Sequence, residues 1–401
     1  METYLSAIIP ELSRAGHQIA FLAETDGPVE CRQISLPDDS GSWSLAALGE
    51  AAALTALNNW RPDVIYAHKV LDPDLEKRIL NLAPSVFFAH DYSGTCISGD
   101  KTFKSPVVQP CSRKFGKQCL LHYFPHRCGG LNPITMFKLY SLQSQRLRNM
   151  RCYDAVVTHS DHMLAELTKH GLLPQRGYKF PISEKAPDRF TSSLAAASSM
   201  PLSEGHERRE GSARSDLHLL FCGRMEYLKG AHLFIAALPL VAAALARPIH
   251  ITFAGDGRER QNLERQAAAL QNQNLVFDFA GWIDHGRLEE ILGTCDLLVV
   301  PSLWPEPFGL VGPEAGQHGV PVAAFDVGGI SDWLSEGVNG FLAAGDPPTS
   351  DGLAQAIINC LKDPATHLRL RNGAVAVAQQ FNVKNHLTAL MEVFESVVRR
   401  D

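Results

Sequence analysis

The sequence predicts an α/β protein made of two doubly wound domains, and three observations carry that prediction. Strand-length apolar segments alternate with helix-length amphipathic ones in both halves of the chain, the pattern of a parallel sheet covered on both faces. The alternation breaks once, over residues 191–216, where Ser, Ala, Gly and charged residues run without an apolar period and read as a linker or mobile loop. The length, 401 residues, suits two domains of about 100–200 residues each. The expected division is 1–190, 191–216 and 217–380, with 381–401 a last helix expected to pack back on the first domain.

Leu5, Ile8, Ile9 and Leu12 recur at helical spacing, so the chain opens inside an amphipathic helix that Gly16 ends. Strands are expected at 17–22, 62–67, 85–89 and 154–158, with helices at 74–82 and 161–169. In the second half strands are expected at 217–222, 249–254, 275–280, 296–300 and 321–325. Helices fit 231–245, 258–270, 287–293, 310–318, 353–362, 367–380 and 383–399. Open sheets of this kind bind ligands beyond the carboxyl ends of their strands, so the two domains are expected to face each other across a cleft that holds the site.

Apolar residues make up 45% of the chain and charged residues 20%, as in globular proteins with sizeable cores. The formal net charge of −6 argues against a general nucleic-acid binder. No apolar run approaches the roughly 18 residues of a membrane span, and the first residues lack the basic start and apolar stretch of a signal peptide. A cytoplasmic protein is expected. Peripheral contact with the inner face of a membrane remains compatible, since a patch suffices.

The second half carries the chemistry. Its first strand ends in Phe221-Cys222-Gly223-Arg224, and Lys229-Gly230 precede the next helix. The glycines let backbone approach a ligand, the helix start favours an anion, and Arg and Lys suit phosphate oxygens. A solvated loop with incidental charges is the plainer reading of those residues alone. Ala254-Gly255-Asp256-Gly257 marks little more than a tight turn. The stretch from Glu306 through Pro307, Phe308, Gly309 and Leu310 to Glu314 puts one carboxylate on a loop and another about one turn into a helix. Together they can hydrogen-bond two sugar rings of one extended ligand, although acidic residues near a helix start are favourable in any case. Gly328-Gly329 form a second glycine-rich helix start.

In this order the motifs resemble glycosyltransferase family four, the retaining GT-B enzymes also called glycosyl transferases group 1. Gly281-Trp282, Gly319-Val320-Pro321-Val322 and Gly337-Val338-Asn339-Gly340 complete the match, which is close from Leu217 onward and looser before it. The resemblance implies the GT-B fold and a donor that is a UDP-, GDP- or ADP-sugar, with a glycan, a lipid-linked molecule or a small hydroxyl compound as acceptor. It implies that Arg224 and Lys229 hold the diphosphate and steady the departing nucleotide, with Gly223 among the donor-binding residues. Glu306 would face the transferred sugar, with Phe308, Gly309 and Leu310 offering N–H groups. Glu314 would bind the ribose and Ile283 would lie near the base. In Phe88-Ala89-His90-Asp91, His90 would approach the reacting sugar; by itself it is an ordinary strand-end histidine. No cofactor and no metal are implied, because Arg and Lys supply the positive charge.

The sequence departs from the family at its beginning. Met1-Glu-Thr-Tyr-Leu5 resembles the start of the first helix, so the usual first strand and its glycine loop are missing. Such a strand is usually central, and the native protein is therefore expected to start upstream of Met1. Gly312-Pro313 and Asp332 are milder departures. Cys96, Cys111, Cys119 and Cys128, with His122 and His126, fall in one stretch without a tight Cys pair; a loop packed by thiols or disulfides is the expectation, with a metal the alternative. The other five cysteines read as buried thiols. Lys101, Lys104, Arg113, Lys114, Lys117 and Arg127 make the stretch basic, which suits an anionic acceptor or lipid phosphate, with plain solvation the simpler reading. Two further readings of the whole chain are a nucleotide-sugar-binding homologue impaired in turnover and another GT-B enzyme such as a sugar-nucleotide epimerase.

Overall fold

The computed structural model describes residues 2–25, 34, 36–38, 40–180, 216–270 and 274–399. It divides into two compact units, one of Met1–Val107, Cys111–Glu184 and Val383–Asp401, the other of Val108–Pro110 and Lys185–Asn382. The linker reading of 191–216 lies outside the described residues but for Asp216.

Unit 1 runs α1 (Glu2–Arg14), β1 (Ala20–Ala23), β2 (Gly41–Ser44), α2 (Leu45–Leu48), α3 (Glu50–Trp60), β3 (Ile65–Ala67), α4 (Pro73–Ile79) and β4 (Ser85–Phe88). Then come α5 (Gln118–His122), α6 (Pro133–Met150), β5 (Ala155–Thr158), α7 (Asp161–Lys169) and β6 (Gly177–Lys179). Strands β3-β4-β5-β6 form one parallel sheet, and β1-β2 pair in parallel as a separate two-stranded sheet. Helix starts carry expected caps: Asp72 accepts from Asp74 N–H ahead of Pro73, Asn132 from Ile134 N–H ahead of Pro133, and Ser160 from Met163 N–H.

Unit 2 runs β7 (Leu217–Cys222), α8 (Ala231–Leu245), β8 (Ile249–Ala254), α9 (Arg260–Ala268), β9 (Leu275–Gly281) and α10 (His285–Thr294). It continues with β10 (Leu297–Val300), α11 (Val311–Gln317), β11 (Val322–Asp326), β12 (Gly340–Ala344), α12 (Ser350–Leu361) and α13 (Pro364–Ala378). The sheet is wholly parallel in the order β9-β8-β7-β10-β11-β12, with Leu217 opposite Ile249 and Cys222 opposite Ala254. The order reverses at β7/β10, which is where doubly wound sheets bind ligands. Strand β10 reads Leu-Leu-Val-Val and is buried at every position, as expected of a central strand covered on both faces. The last helix, α14 (Val383–Val398), groups with unit 1, where His386 hydrogen-bonds Tyr4 of α1 at 2.7 Å.

Some expectations need correction. The strands expected at 17–22 and 62–67 start only at Ala20 and Ile65, and β2, α3, α6, β6 and β12 were not anticipated. The stretch Tyr227–Leu245 is long and apolar enough to cross a membrane by length and composition alone, contrary to the expectation that no run comes close. Its apolarity serves the core: Phe234, Ile235, Ala237, Leu238 and Val241 are buried in unit 2. Of the five cysteines read as buried, Cys295 and Cys360 are, Cys222 is half-buried, Cys152 is exposed, and Cys31 lies outside the described residues.

Candidate active site

In unit 2 the loop from Gly223 to Gly230 joins the central strand β7 to α8 and lies against the chain leaving β10. Gly230 takes φ +71, and a Cβ there would stand 1.7 Å from the Pro301 carbonyl oxygen. Only glycine fits both the conformation and the space. Leu303 N–H donates to Leu228 O at 2.8 Å, stitching the two loops together. The stitching delivers Lys229 beside Glu306: Nζ stands 2.7 Å from Oε1, and 5.2 Å from the centroid of the Trp304 ring. Ser302 Oγ donates to the same Oε1 at 2.5 Å.

Glu306 is buried, and its backbone is pinned as firmly as its carboxylate. Gly329 N–H donates to Glu306 O at 2.7 Å, and Glu306 bridges Gly328 in parallel. Gly328 has φ +63, and a Cβ on it would lie 2.3 Å from Glu306 O. The glycine pair after β11 thus sets the position of the acidic loop after β10. A buried carboxylate is stable only when paired and hydrogen-bonded, which Lys229 and Ser302 achieve here. Phe308 is buried, and its carbonyl accepts from Trp333 Nε1 at 2.6 Å. Among the described residues nothing accepts from the N–H groups of Gly309 and Leu310, which precede α11.

Glu314 lies half-buried in the first turn of α11. The Cys222 thiol at the end of β7 is pushed up to about 12 by burial first and then by the Glu314 carboxylate, with Lys229 opposing. One thiol therefore feels Glu314 and Lys229 together, and both stand at the carboxyl end of β7. Arg224 is exposed on the loop, and Gly223 N–H donates to Ala254 O at 2.9 Å. The Ala254–Gly257 turn, read as a mere connection, backs that loop: Met225 N–H donates to Asp256 O at 2.8 Å, and Glu259 N–H to Met225 O at 2.9 Å. Ile283 packs half-buried against the core of unit 2, after an exposed Trp282.

His90 belongs to unit 1, at the end of β4. Its Nε2 lies 2.9 Å from Nδ1 of His68, at the end of neighbouring β3, so one ring donates and the other accepts. Around them stand Tyr4, Phe88, His159 and His386, with ring centroids 4.4 Å apart for Phe88–His90 and 5.7 Å for Tyr4–His90. Burial pulls His90 well below the usual histidine range and His68 down to about 3. Both rings are neutral at neutral pH, and His90 is equipped to exchange hydrogen bonds rather than carry charge. His68 Nε2 is buried without a hydrogen-bond partner. Beside the pair, Asp91 binds Lys69 at 2.7 Å; burial alone would raise the Asp91 carboxyl, but the bonds from Lys69 and Ser93 hold it low. Sequence reasoning missed Ser302 and Trp304 beside Glu306 and Lys229 in unit 2, and His68 and Lys69 beside His90 and Asp91 in unit 1. A repeated Ala-His at two strand ends, Ala67-His68 and Ala89-His90, was the available signal for His68.

Cys96, Cys111, Cys119 and Cys128 line one small cavity, all as free thiols. Among the described residues no three His, Cys, Asp or Glu side chains are placed to share a metal ion.

Comparison with known proteins bears on the second half of the chain. Residues 204–376 match the model of glycosyl transferases group 1. This part of the chain is similar to the domain of group 1 glycosyltransferases. A glycogen synthase of Mycobacterium tuberculosis is 34% identical over 186 residues, 45% of this chain and 43% of that protein. A D-inositol 3-phosphate glycosyltransferase of Xylanimonas cellulosilytica is 30% identical over 185 residues, 45% of this chain and 43% of the relative. The chain thus spans less than half the length of these curated relatives. Among solved structures, Anabaena HepE in complex with UDP and glucose superposes with a TM-score of 0.63 at 19% identity, covering 98% of this chain and 95% of that one. Sucrose-phosphate synthase of Thermosynechococcus elongatus gives 0.67 at 17% identity, covering 99% and 92%. The chain shares the GT-B fold of these structures.

Proposed function

We propose that the chain is a retaining glycosyltransferase that moves a sugar from a nucleotide-diphosphate sugar to a hydroxyl acceptor. The observation that carries the reading is the buried Glu306 held by Lys229 and Ser302, next to the unclaimed N–H groups of Gly309 and Leu310. Lys229 and Arg224 would neutralise the diphosphate, Glu306 and the two N–H groups would hold sugar hydroxyls, and Glu314 would take the ribose. His90, neutral and half-buried in unit 1, would contribute a hydrogen bond to the sugar. The C1–O bond to the diphosphate breaks, its electron pair leaves with the nucleotide, and the acceptor oxygen bonds C1 from the same face. The acceptor proton passes to the leaving phosphate oxygen. No side chain needs to act as a nucleophile, unlike the paired carboxylates of retaining glycosidases. A UDP-sugar is favoured because HepE was solved with UDP-glucose. Cell-surface polysaccharide or glycolipid assembly in the cytoplasm is the setting this reading suggests, and cell fractionation tests the compartment.

The test is incubation with UDP-glucose and a panel of hydroxyl acceptors, with proton NMR of the product. An α-linked sugar supports the reading; a β-linked one removes retention, and an isomerised nucleotide sugar makes the chain an epimerase. A second reading, donor binding without turnover, draws on the separation of β1-β2 from the four-stranded sheet of unit 1. It is met if UDP-glucose binds and neither transfer nor hydrolysis follows.

A further inference from the structure

Between Asp100 and Asp154 the sequence holds ten Lys and Arg residues and not one Asp or Glu, in a chain whose net charge is −6. Several of these cations are engaged. Lys101 pairs with buried Glu166, Lys104 with Asp100, and Arg146 and Arg151 donate to the carbonyls of Leu71 and His170. Lys114, Lys117, Arg127 and Lys138 are exposed, and none has an ion pair among the described residues.

The same stretch exposes large apolar side chains. Leu121 is 76% exposed, Leu131 68% and Ile134 64%, with Phe137, Val107 and Phe124 also on the surface. This is not a loose loop turning its core outward. Phe103, Phe115, Tyr123, Cys128 and Met136 form its own buried cluster, with Leu120, Leu139 and Tyr140 packed against it. Tyr123 Oη donates to Gly129 O at 2.6 Å, and Asn132 caps α6. Along α5, α6 and the turn between them, one residue points in and the next points out: Leu120 and Leu121, Tyr123 and Phe124, Met136 and Phe137. Single exposed apolar residues are ordinary, but six on one folded module with four unpaired cations are not explained by solvation, the simpler sequence reading.

We propose that this surface of unit 1, carried by Val107 and the stretch from Cys111 to Lys138, docks on a lipid bilayer with anionic headgroups. The four cations would meet the phosphates, and the Leu, Ile and Phe side chains would enter the boundary between headgroups and acyl chains. Charge complementarity selects an anionic surface, and the outward apolar residues select a bilayer over a soluble polyanion. The inference stands apart from the transfer reading, since binding is measured without donor or acceptor.

The experiment is sedimentation of the full chain with vesicles of phosphatidylcholine alone and of phosphatidylcholine mixed with phosphatidylglycerol, at low and high salt. Binding is expected to the mixed vesicles, weakened by salt. Lys114→Glu with Lys117→Glu is expected to weaken it at least about tenfold, from a contribution near fivefold for each basic residue at the surface. Leu121→Ser with Ile134→Ser is expected to do the same through lost apolar burial. Leu368→Ser, an exposed leucine of unit 2, serves as control and is expected to bind as wild type. Thermal melts that match wild type show the variants folded; for a pair that fails to fold, Arg127→Glu with Lys138→Glu takes its place. No binding to either vesicle, equal binding to both, or binding indifferent to the variants overturns the proposal. So does a change of mass by light scattering in the variants instead of a change in sedimentation, which would make the face an interface between proteins.

Discussion

Replacing Lys229 by Met keeps most of the side-chain volume and removes the cation. Glu306 then keeps only Ser302 for its buried oxygen, with the lysine side chain originally 22% exposed and the carboxylate 8%. Breaking a fully buried pair costs about 3–5 kcal/mol, and an exposed one about 0–1. A lysine one-fifth open to water falls between, so the expected cost is about 1–3 kcal/mol. Urea unfolding followed by tryptophan fluorescence reads it, because Trp282, Trp304 and Trp333 all lie in unit 2. Two compact units need not unfold together, so midpoints are compared only where the slopes agree. Adding Glu306→Gln removes the stranded charge and is expected to recover about 1 kcal/mol or more, a coupling between neighbours rather than a sum. A loss of under about 0.5 kcal/mol in Lys229→Met, the range of ordinary surface changes, would refute the account, as would simple additivity of the two changes.

Gly230→Ala is expected to cost about 3 kcal/mol or more in thermal melting, because no rotamer moves a Cβ away from the Pro301 oxygen 1.7 Å distant. The histidines of unit 1 make stability depend on pH: burial holds His68 and His159 near 3 and His386 near 4, against about 6.5 when unfolded. Below that value the unfolded chain takes up protons that the folded chain refuses. Stability should therefore be level above about pH 6.5 and fall as the pH drops toward the folded values, by up to about 1.4 kcal/mol per pH unit for each histidine. Urea midpoints from pH 7.5 to 5 check this, and a level profile would contradict the burial of these rings. Glycosyl transfer is expected to survive EDTA, with Arg224 and Lys229 supplying the positive charge; loss on chelation and return with a divalent cation would contradict that assignment.

The second unit was far more legible in sequence than the first. Strands β7 and β8 and helix α8 begin and end where the pattern placed them, because each is a dense apolar run bounded by glycine, proline or charge. Helix α6 escaped because Ile134 and Phe137 face outward and blur its apolar stripe. Strand β2, Gly-Ser-Trp-Ser, is too short and polar to stand out. In the site, chain position marked Lys229 and Glu306 as chemical residues, but not that they touch. Their contact depends on Gly230 seating against Pro301 and on Gly328 meeting the Glu306 backbone, long-range approaches that leave only glycines as a trace. His68 was missed because its role arises from β3 lying beside β4.

The strand-end loops of unit 2 are proposed to hold a nucleotide-diphosphate sugar. Isothermal titration of the chain with UDP, GDP and ADP tests this most directly, beside Arg224→Ala and Glu314→Ala. One nucleotide is expected to bind at a single site, at least about tenfold more weakly in each variant, the loss of one charge-assisted contact. No binding of any of the three to folded protein, or equal binding by wild type and both variants, would contradict the account.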